Sequence, residues 1–235
     1  MLKILVLLLA YNRPVMLLDS LESIQRSTYK DWRLAVVDDG STLPAEGIVR
    51  SKFSKQELEE TTFYRINDTK ADKIARGGSI IGEKMNQAME ELGCDLAIFL
   101  CDDDLLIPDY LENLNKYFTD NPEVMYAYSH VRTFKDGEDP WTKEKEYSWL
   151  NHAGPIDPFC RADASQVCWR VPAALEKGIK FPVPKTANLD ADFYGPFCEA
   201  YGLCQPTGFD SQLKRVHTGQ LGNHSSYDWV DGVKV

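Results

Sequence analysis

Carboxylates are the side chains in this sequence whose grouping could do chemistry. Asp102-Asp103-Asp104 sets three in a row after the apolar stretch Leu96 to Leu100. Such a run repels itself unless water or a cation neutralises it. Mg2+ and Mn2+ favour hard oxygen ligands, commonly one or two carboxylates plus substrate phosphates. A solvated acidic turn ahead of a helix at Pro108 accounts for the trio on its own equally well. Asp38-Asp39-Gly40-Ser41 is a second group. One of its aspartates can cap the following turn. The other is then left to accept hydrogen bonds from a base or a ribose, as carboxylates at strand ends do. A third group is Asp190 and Asp192, in Leu189-Asp190-Ala191-Asp192-Phe193. Helix capping and the helix dipole would also favour acids there. His217 and His224 come late in the chain. Imidazole suits Mn2+ better than Mg2+, although a lone histidine is more often a packing or surface residue.

These groups need elements to hold them. Lys3 to Ala10 is a continuous apolar run, as in a parallel strand covered on both faces. Tyr11-Asn12-Arg13-Pro14 comes next as a loop, with Pro14 suited to a first helical turn. Val15, Leu18, Leu21 and Ile24 carry helical spacing through Arg26. Trp32 to Val37 reads as a second strand, Ile48 to Glu60 as one polar helix and Thr61 to Ile66 as a third strand. Asn67 to Gly78 reads as a charged, glycine-containing loop and Ser79 to Leu92 as a helix. Leu96 to Leu100 is a fourth strand and Pro108 to Phe118 a further helix. The alternation predicts an α/β fold: a Rossmann-like, mostly parallel sheet flanked by helices. In open sheets of this kind ligands sit beyond the carboxyl ends of the strands. Tyr11-Asn12-Arg13, Asp38-Asp39 and Asp102 to Asp104 all fall there.

After Val124 the pattern loosens. Met125 to Thr133 and Ala164 to Arg170 read as strands, and Pro172 to Lys177 and Ala191 to Tyr201 as helices. Lys135 to Pro158 is irregular. From Gly202 onward periodicity is weak. No linker or repeat divides the chain, so residues 1–235 are expected to form one domain, with a nucleotide-binding half (1–125) and a smaller acceptor-side half (126–235).

The chain has 235 residues, enough to bury a sizeable core without staples. Its net charge is −10, from 36 acidic against 26 basic residues. Binding through nucleic-acid phosphates needs a basic footprint, and this balance points away from one. The six cysteines form no C-x-x-C pair and fit no zinc spacing. Buried reduced thiols in a cytoplasmic protein are the expectation. Leu2 to Ala10 resembles a short signal-peptide core, but no small-residue cleavage site comes after it, so a buried strand reads better. It is also shorter than the roughly 20 residues that span a bilayer. No transmembrane segment is expected, and any membrane contact would be peripheral.

Taken in order, Ala10-Tyr11-Asn12-Arg13, a helix, Tyr29-Lys30-Asp31-Trp32 and Val36-Val37-Asp38-Asp39-Gly40-Ser41-Thr42 resemble the nucleotide-binding opening of family 2 glycosyltransferases, which have the A-type fold. Phe99-Leu100-Cys101-Asp102-Asp103-Asp104, with Pro108 and Leu111 after it, is similar to that family's D-x-D segment. The likeness covers roughly the first 130 residues. It implies that Ala10, Tyr11, Arg13 and Asp39 line a pocket for the base, usually uracil, and that Arg76 approaches the diphosphate. It further implies that Asp102 and Asp103 meet the donor ribose and that Asp104 holds Mn2+ or Mg2+. Asp102 is an alternative ligand, because three acids in a row leave the register open by one, and His217 would complete the site. Asp190, and after it Asp192, resembles the family's catalytic base, although Leu189 stands where the family usually has Glu. Asp163, just before Ala164-Ser165-Gln166, is a lesser acceptor-side candidate. Trp141, Trp149 and Trp169 are candidates for stacking on sugars, and core packing explains them equally well.

The activity this resemblance implies is metal-dependent transfer of a hexosyl or related sugar from a nucleotide diphosphate donor, UDP for preference, to a saccharide or other hydroxyl acceptor, with inversion. An inactive nucleotide-sugar-binding module is the main alternative. A nucleotidyltransferase is another, but it would be expected to carry a Gly-rich phosphate loop after the first strand, and Tyr11-Asn12-Arg13-Pro14 has no glycine. Net acidity disfavours a nucleic-acid acceptor.

Overall fold

The computed structural model describes residues 1–141, 146–147, 151–158, 161–185, 189–216, 229–230 and 233–234. The first strand, β1 (Ile4–Ala10), is buried along almost its whole length. Its Ile4 to Leu8 side chains are fully covered, each contributing roughly 1.5–3 kcal/mol of hydrophobic stabilisation. Helix α1 (Pro14–Gln25) starts at a proline, whose fixed φ and missing N–H cost nothing at that position. Next come β2 (Trp32–Asp38), α2 (Ala45–Lys52), α3 (Lys55–Glu59), β3 (Thr61–Arg65), α4 (Lys70–Arg76), α5 (Ile81–Glu91) and β4 (Leu96–Cys101). A two-residue strand β5 (Leu105–Leu106) precedes α6 (Tyr110–Asp120).

The remainder runs β6 (Tyr126–Lys135), β7 (Glu146–Tyr147), a 3-10 turn (Ala164–Gln166), β8 (Val167–Arg170), α7 (Val171–Lys177), α8 (Leu189–Tyr201) and β9 (Gln205–Val216). A short hairpin, β10 (Trp229–Val230) with β11 (Val233–Lys234), stands apart from the main sheet.

The structure differs most from the sequence reading at three places, besides the short strands β5 and β7 and the 3-10 turn that opens the strand expected over Ala164 to Arg170. The single helix expected over Ile48 to Glu60 is two. Phe53 leaves α2 in an extended conformation, and Ser54 with Glu57 forms a capping box that starts α3. The loop expected over Asn67 to Gly78 contains α4, opened by a Thr69/Asp72 capping box and closed by left-handed Gly77. The weakly periodic stretch after Gly202 contains the twelve-residue strand β9.

Among the described residues one nine-stranded sheet runs β3-β2-β1-β4-β8-β6-β9-β5, with β7 beside β6. The parallel half expected from the alternation is β3-β2-β1-β4. Beyond β4 the sheet is mixed: β8 is antiparallel to β4 and β6, while β9 is parallel to β6. One core lies on each face. Leu5, Leu7 and Phe99 face Met85, Trp169 and Phe193, whereas Ile4, Val6 and Leu8 face Leu21 of α1, Val49 of α2 and Leu114 of α6. No helix among the described residues is long and apolar enough to cross a membrane.

Strand register brings the acids together. Ala10 pairs with Asp38, and Leu9 with Cys101. The next residues stay joined: the Asp39 N–H donates to Ala10 O at 3.0 Å, and the Asp102 N–H to Leu9 O at 3.0 Å.

Candidate active site

The loop after β1 is tied to both neighbouring strand tips. The Tyr11 N–H donates to Asp102 Oδ2 at 2.7 Å. Arg13 reaches Asp102 Oδ1 at 3.0 Å and Asp103 Oδ2 at 3.1 Å. Asn12 takes φ 54°, a left-handed conformation that asparagine tolerates better than most residues. There its N–H donates to the Ser41 hydroxyl at 3.0 Å, and its Oδ1 accepts the Thr42 N–H at 2.8 Å.

The two aspartates at the tip of β2 divide their work. Asp38 accepts the N–H groups of Ser41 (2.7 Å) and Ala45 (3.0 Å) and pairs with Arg65 at 2.7 Å. It shapes the turn and starts α2. Gly40 makes that turn possible: its φ is +86°, and a Cβ there would sit 3.1 Å from the Ile66 carbonyl. Asp39 faces inward. Its Oδ1 accepts the Ser79 hydroxyl at 2.5 Å, and its Oδ2 pairs with Lys73 at 3.0 Å. Lys73 is buried, also donates to Asp39 O at 2.9 Å and lies 5.0 Å from the Tyr11 ring centroid. This buried lysine was not legible in the sequence, because it sits in a stretch that reads as a solvated loop. Arg76, at the end of the same helix, pairs with Asp68 at 2.7 Å.

The trio is buried, with each residue at 5% exposure or less. Burial pushes Asp102 up to about 6, against the pull of the Tyr11 N–H and Arg13. Burial likewise pushes Asp104 up to about 7, with Lys214 opposing and Asp103 adding to the rise. Asp104 Oδ1 accepts the Arg215 N–H at 3.0 Å, and Arg215 Nε donates to Asp103 O at 3.2 Å. Cys101 Sγ and carboxylate oxygens of Asp103 and Asp104 lie within 4.8 Å of one another. Two buried, hard carboxylates converging this closely fit a divalent cation. His217 and His224 lie outside the described residues.

The acceptor-side candidates adjoin this group. Asp163 accepts the N–H and hydroxyl of Ser165, at 3.1 and 2.6 Å, and pairs with Lys214 at 2.5 Å. Burial works against its charge, but Lys214 and the Ser165 donors outweigh burial and hold its carboxyl below the ordinary value. Asp190 opens α8. Burial raises its proton affinity, the Ala191 N–H opposes this, and Asp163 adds to it. Asp192, in the same first turn, is exposed. Trp169 is core, 5.3 Å from Phe99 and 5.1 Å from Phe193 by ring centroids. Trp141 packs beside Phe134 and under Arg26. Trp149 lies outside the described residues.

A small cleft at the first loop is lined by Ala10, Tyr11, Arg13, Ser41 and Asp102. A larger cavity of about 190 Å³, lined by Asp19, Glu22, Leu105, Phe134, Trp141 and Arg215, adjoins the acid turn through Leu105 and Arg215. The aspartate trio itself does not line it.

The half-parallel sheet with acids gathered beyond its strand tips has the architecture of the A-type glycosyltransferase fold. The family model described as glycosyl transferase family 2 matches residues 5–179, and the chain belongs to that family. S. aureus TarS 1–349 in complex with UDP has the same fold, with a TM-score of 0.66 at 15% identity, covering 91% of this chain and 60% of that one. The mannosyltransferase PcManGT from Pyrobaculum calidifontis, in complex with GDP-Man and Mn2+, gives 0.62 at 18% identity, covering 92% and 57%. Among curated proteins, Protein CgeD from Bacillus subtilis (strain 168) is 24% identical over 127 residues, which is 54% of this chain and 29% of CgeD. The chain thus spans less than two thirds of each of these relatives.

Proposed function

We propose that this chain transfers a hexosyl or related sugar from a nucleotide diphosphate donor, preferably UDP, to a hydroxyl acceptor, with a divalent cation and with inversion. One observation carries the reading: at adjacent strand tips Tyr11 and Arg13 contact Asp102 and Asp103, Asp104 converges with Asp103, and Asp39 joins them through the Ala10 carbonyl and through Lys73 beside the Tyr11 ring. The TarS structure with UDP and the PcManGT structure with GDP-Man and Mn2+ share the fold and support a nucleotide-sugar donor.

Roles can be assigned from the donors and acceptors present. Asp39 would accept a base N–H, with Tyr11 forming a wall of the pocket beside Ala10. Each carboxylate oxygen has two lone pairs, so Asp102 can serve Tyr11 and Arg13 and still accept a ribose hydroxyl. Arg13 fixes the spacing of Asp102 and Asp103. Asp104 would hold Mn2+ or Mg2+, with His217 as a further ligand. Because Asp103 converges with Asp104 while Asp102 turns to Tyr11 and Arg13, the second carboxylate ligand would be Asp103 in place of Asp102, and the ribose falls to Asp102. The ion, when bound, supplies Lewis-acid stabilisation of the charge that builds on the departing diphosphate. Arg76 would reach the diphosphate by exchanging Asp68 for a phosphate oxygen. On the acceptor side, Asp190 takes the proton of the attacking hydroxyl at a carboxylate oxygen, a role its raised proton affinity suits. Asp192 is the second candidate. One sheet draws strands from both 1–125 and 126–235, which supports reading the two halves as one unit. The unpaired Cys94, Cys101, Cys168, Cys198 and Cys204 favour a reducing, cytoplasmic setting.

The test is a donor screen: nucleotide-sugar hydrolysis with and without Mn2+, in wild type and Asp104→Ala. Turnover should need Mn2+ and collapse in the variant. Equal, metal-free turnover in both proteins would reject the mechanism.

A further inference from the structure

Lys214 is a half-buried cation with no role in the sugar transfer proposed above. Its neighbours in β9 are fastened to the acid turn: Leu213 pairs with Leu105, and the Arg215 N–H donates to Asp104 Oδ1 at 3.0 Å. Residue 214 is therefore held against that turn by its own strand. Its side chain, 21% exposed, places Nζ 2.5 Å from Asp163 Oδ2. Its charge also acts on Asp104 and Cys101, and on Asp190 across the site. The other cations nearby have further commitments. Arg13 serves Asp102 and Asp103, and Arg215 serves Asp19 at 2.7 Å and Asp136 at 3.1 Å. Lys214 is the ammonium that pairs with Asp163 while its charge bears on Asp104, whose Oδ1 accepts the N–H of the next residue in the same strand.

We propose that Lys214 is a built-in counter-cation that competes with the divalent ion at Asp103 and Asp104, so that tight metal binding waits for the donor diphosphate. The inference rests on the metal site of the proposed function. A unit positive charge fixed in a partly dehydrated site repels a second cation strongly. A bound diphosphate brings negative charge of its own and offsets that repulsion. Lysine suits such a role because its compact charge rides on a flexible stem and can turn toward a phosphate oxygen.

Mn2+ binding read by electron paramagnetic resonance tests this, with and without UDP, in wild type, Lys214→Gln and Lys214→Arg. The glutamine keeps a donor for Asp163 without the charge. Wild type and Lys214→Arg should bind Mn2+ weakly alone and more tightly with UDP. Lys214→Gln should bind Mn2+ alone on the order of tenfold more tightly than wild type, with a smaller gain from UDP. Equal UDP-free Mn2+ affinity in wild type and Lys214→Gln would overturn the role of Lys214 while leaving the metal site standing. Absence of Mn2+ binding in every protein, even with UDP, would overturn both. Should Lys214→Gln lose its fold, recovery of its circular dichroism on adding Mn2+ supports the proposal, and no recovery at saturating Mn2+ contradicts it.

Discussion

Asp38 and Asp39 are adjacent in sequence and do different work: the first is consumed by Ser41, Ala45 and Arg65, and the second meets Ser79 and Lys73. That division could be read from Asp-Asp-Gly-Ser, because a strand-ending turn needs one cap and has two acids to choose from. Of the cations that hold the acids, Arg13 was legible in the sequence and the others named here were not. Lys73, Lys214 and Arg215 find their partners across elements, at sequence separations that leave no local spacing to detect. The residue scale also sets the pH behaviour of transfer. Asp190 must be ionised to take a proton, and its carboxyl titrates above the ordinary aspartate value. The acid limb of kcat/KM should therefore lie above about pH 4, the usual aspartate range, with activity rising as pH rises through it. Asp190→Asn should keep UDP binding and lose roughly 10²- to 10⁴-fold in transfer rate. Single-turnover transfer with bound UDP-sugar decides this, and transfer at the wild-type rate in the variant would remove Asp190 as the base.

At the scale of elements, the strands and helices with a clear apolar period were readable: β1, β2, β4, α1, α5 and α6 fall close to where the pattern puts them. The misses have local causes. Ser54 to Glu57 carried a capping-box signature inside a stretch polar enough to read as one helix. α4 buries only Lys73, so it shows no apolar stripe. β9 is held by pairing with β6 and β5, and its half-buried pattern resembles a loop. Close packing at α5 gives a sharp check. A Cβ on Gly82 would lie 2.3 Å from the Pro182 carbonyl oxygen and 3.1 Å from Phe181 Cβ. Backbone must move to admit it, so Gly82→Ala should destabilise the fold by about 1–3 kcal/mol. Urea unfolding measures this, and a midpoint unchanged from wild type would mean that 181–185 does not press on α5 as described.

For the whole molecule, three of the 36 acidic residues are buried side by side at one turn, where their charge bears on stability. Asp104 titrates at about 7 in the folded chain, against roughly 4 when unfolded. The folded form thus binds the proton more readily. Stability from this group is present below about pH 4 and is lost as pH rises toward about 7. Without metal, the melting temperature of wild type relative to Asp104→Asn should fall between about pH 4 and about pH 7. A difference that stays flat across that range would contradict a burial cost at Asp104 that Lys214 and the Arg215 N–H leave only partly offset. The central claim is that acids from separate strand tips form one donor site closed by a cation. Calorimetric titration of UDP with and without Mn2+, into wild type, Asp39→Ala and Asp104→Ala, tests it most directly. The account predicts Mn2+-dependent binding in wild type, binding weakened in Asp39→Ala with its Mn2+ dependence kept, and Mn2+ dependence abolished in Asp104→Ala. UDP binding of equal strength in all three proteins, indifferent to Mn2+, would contradict it.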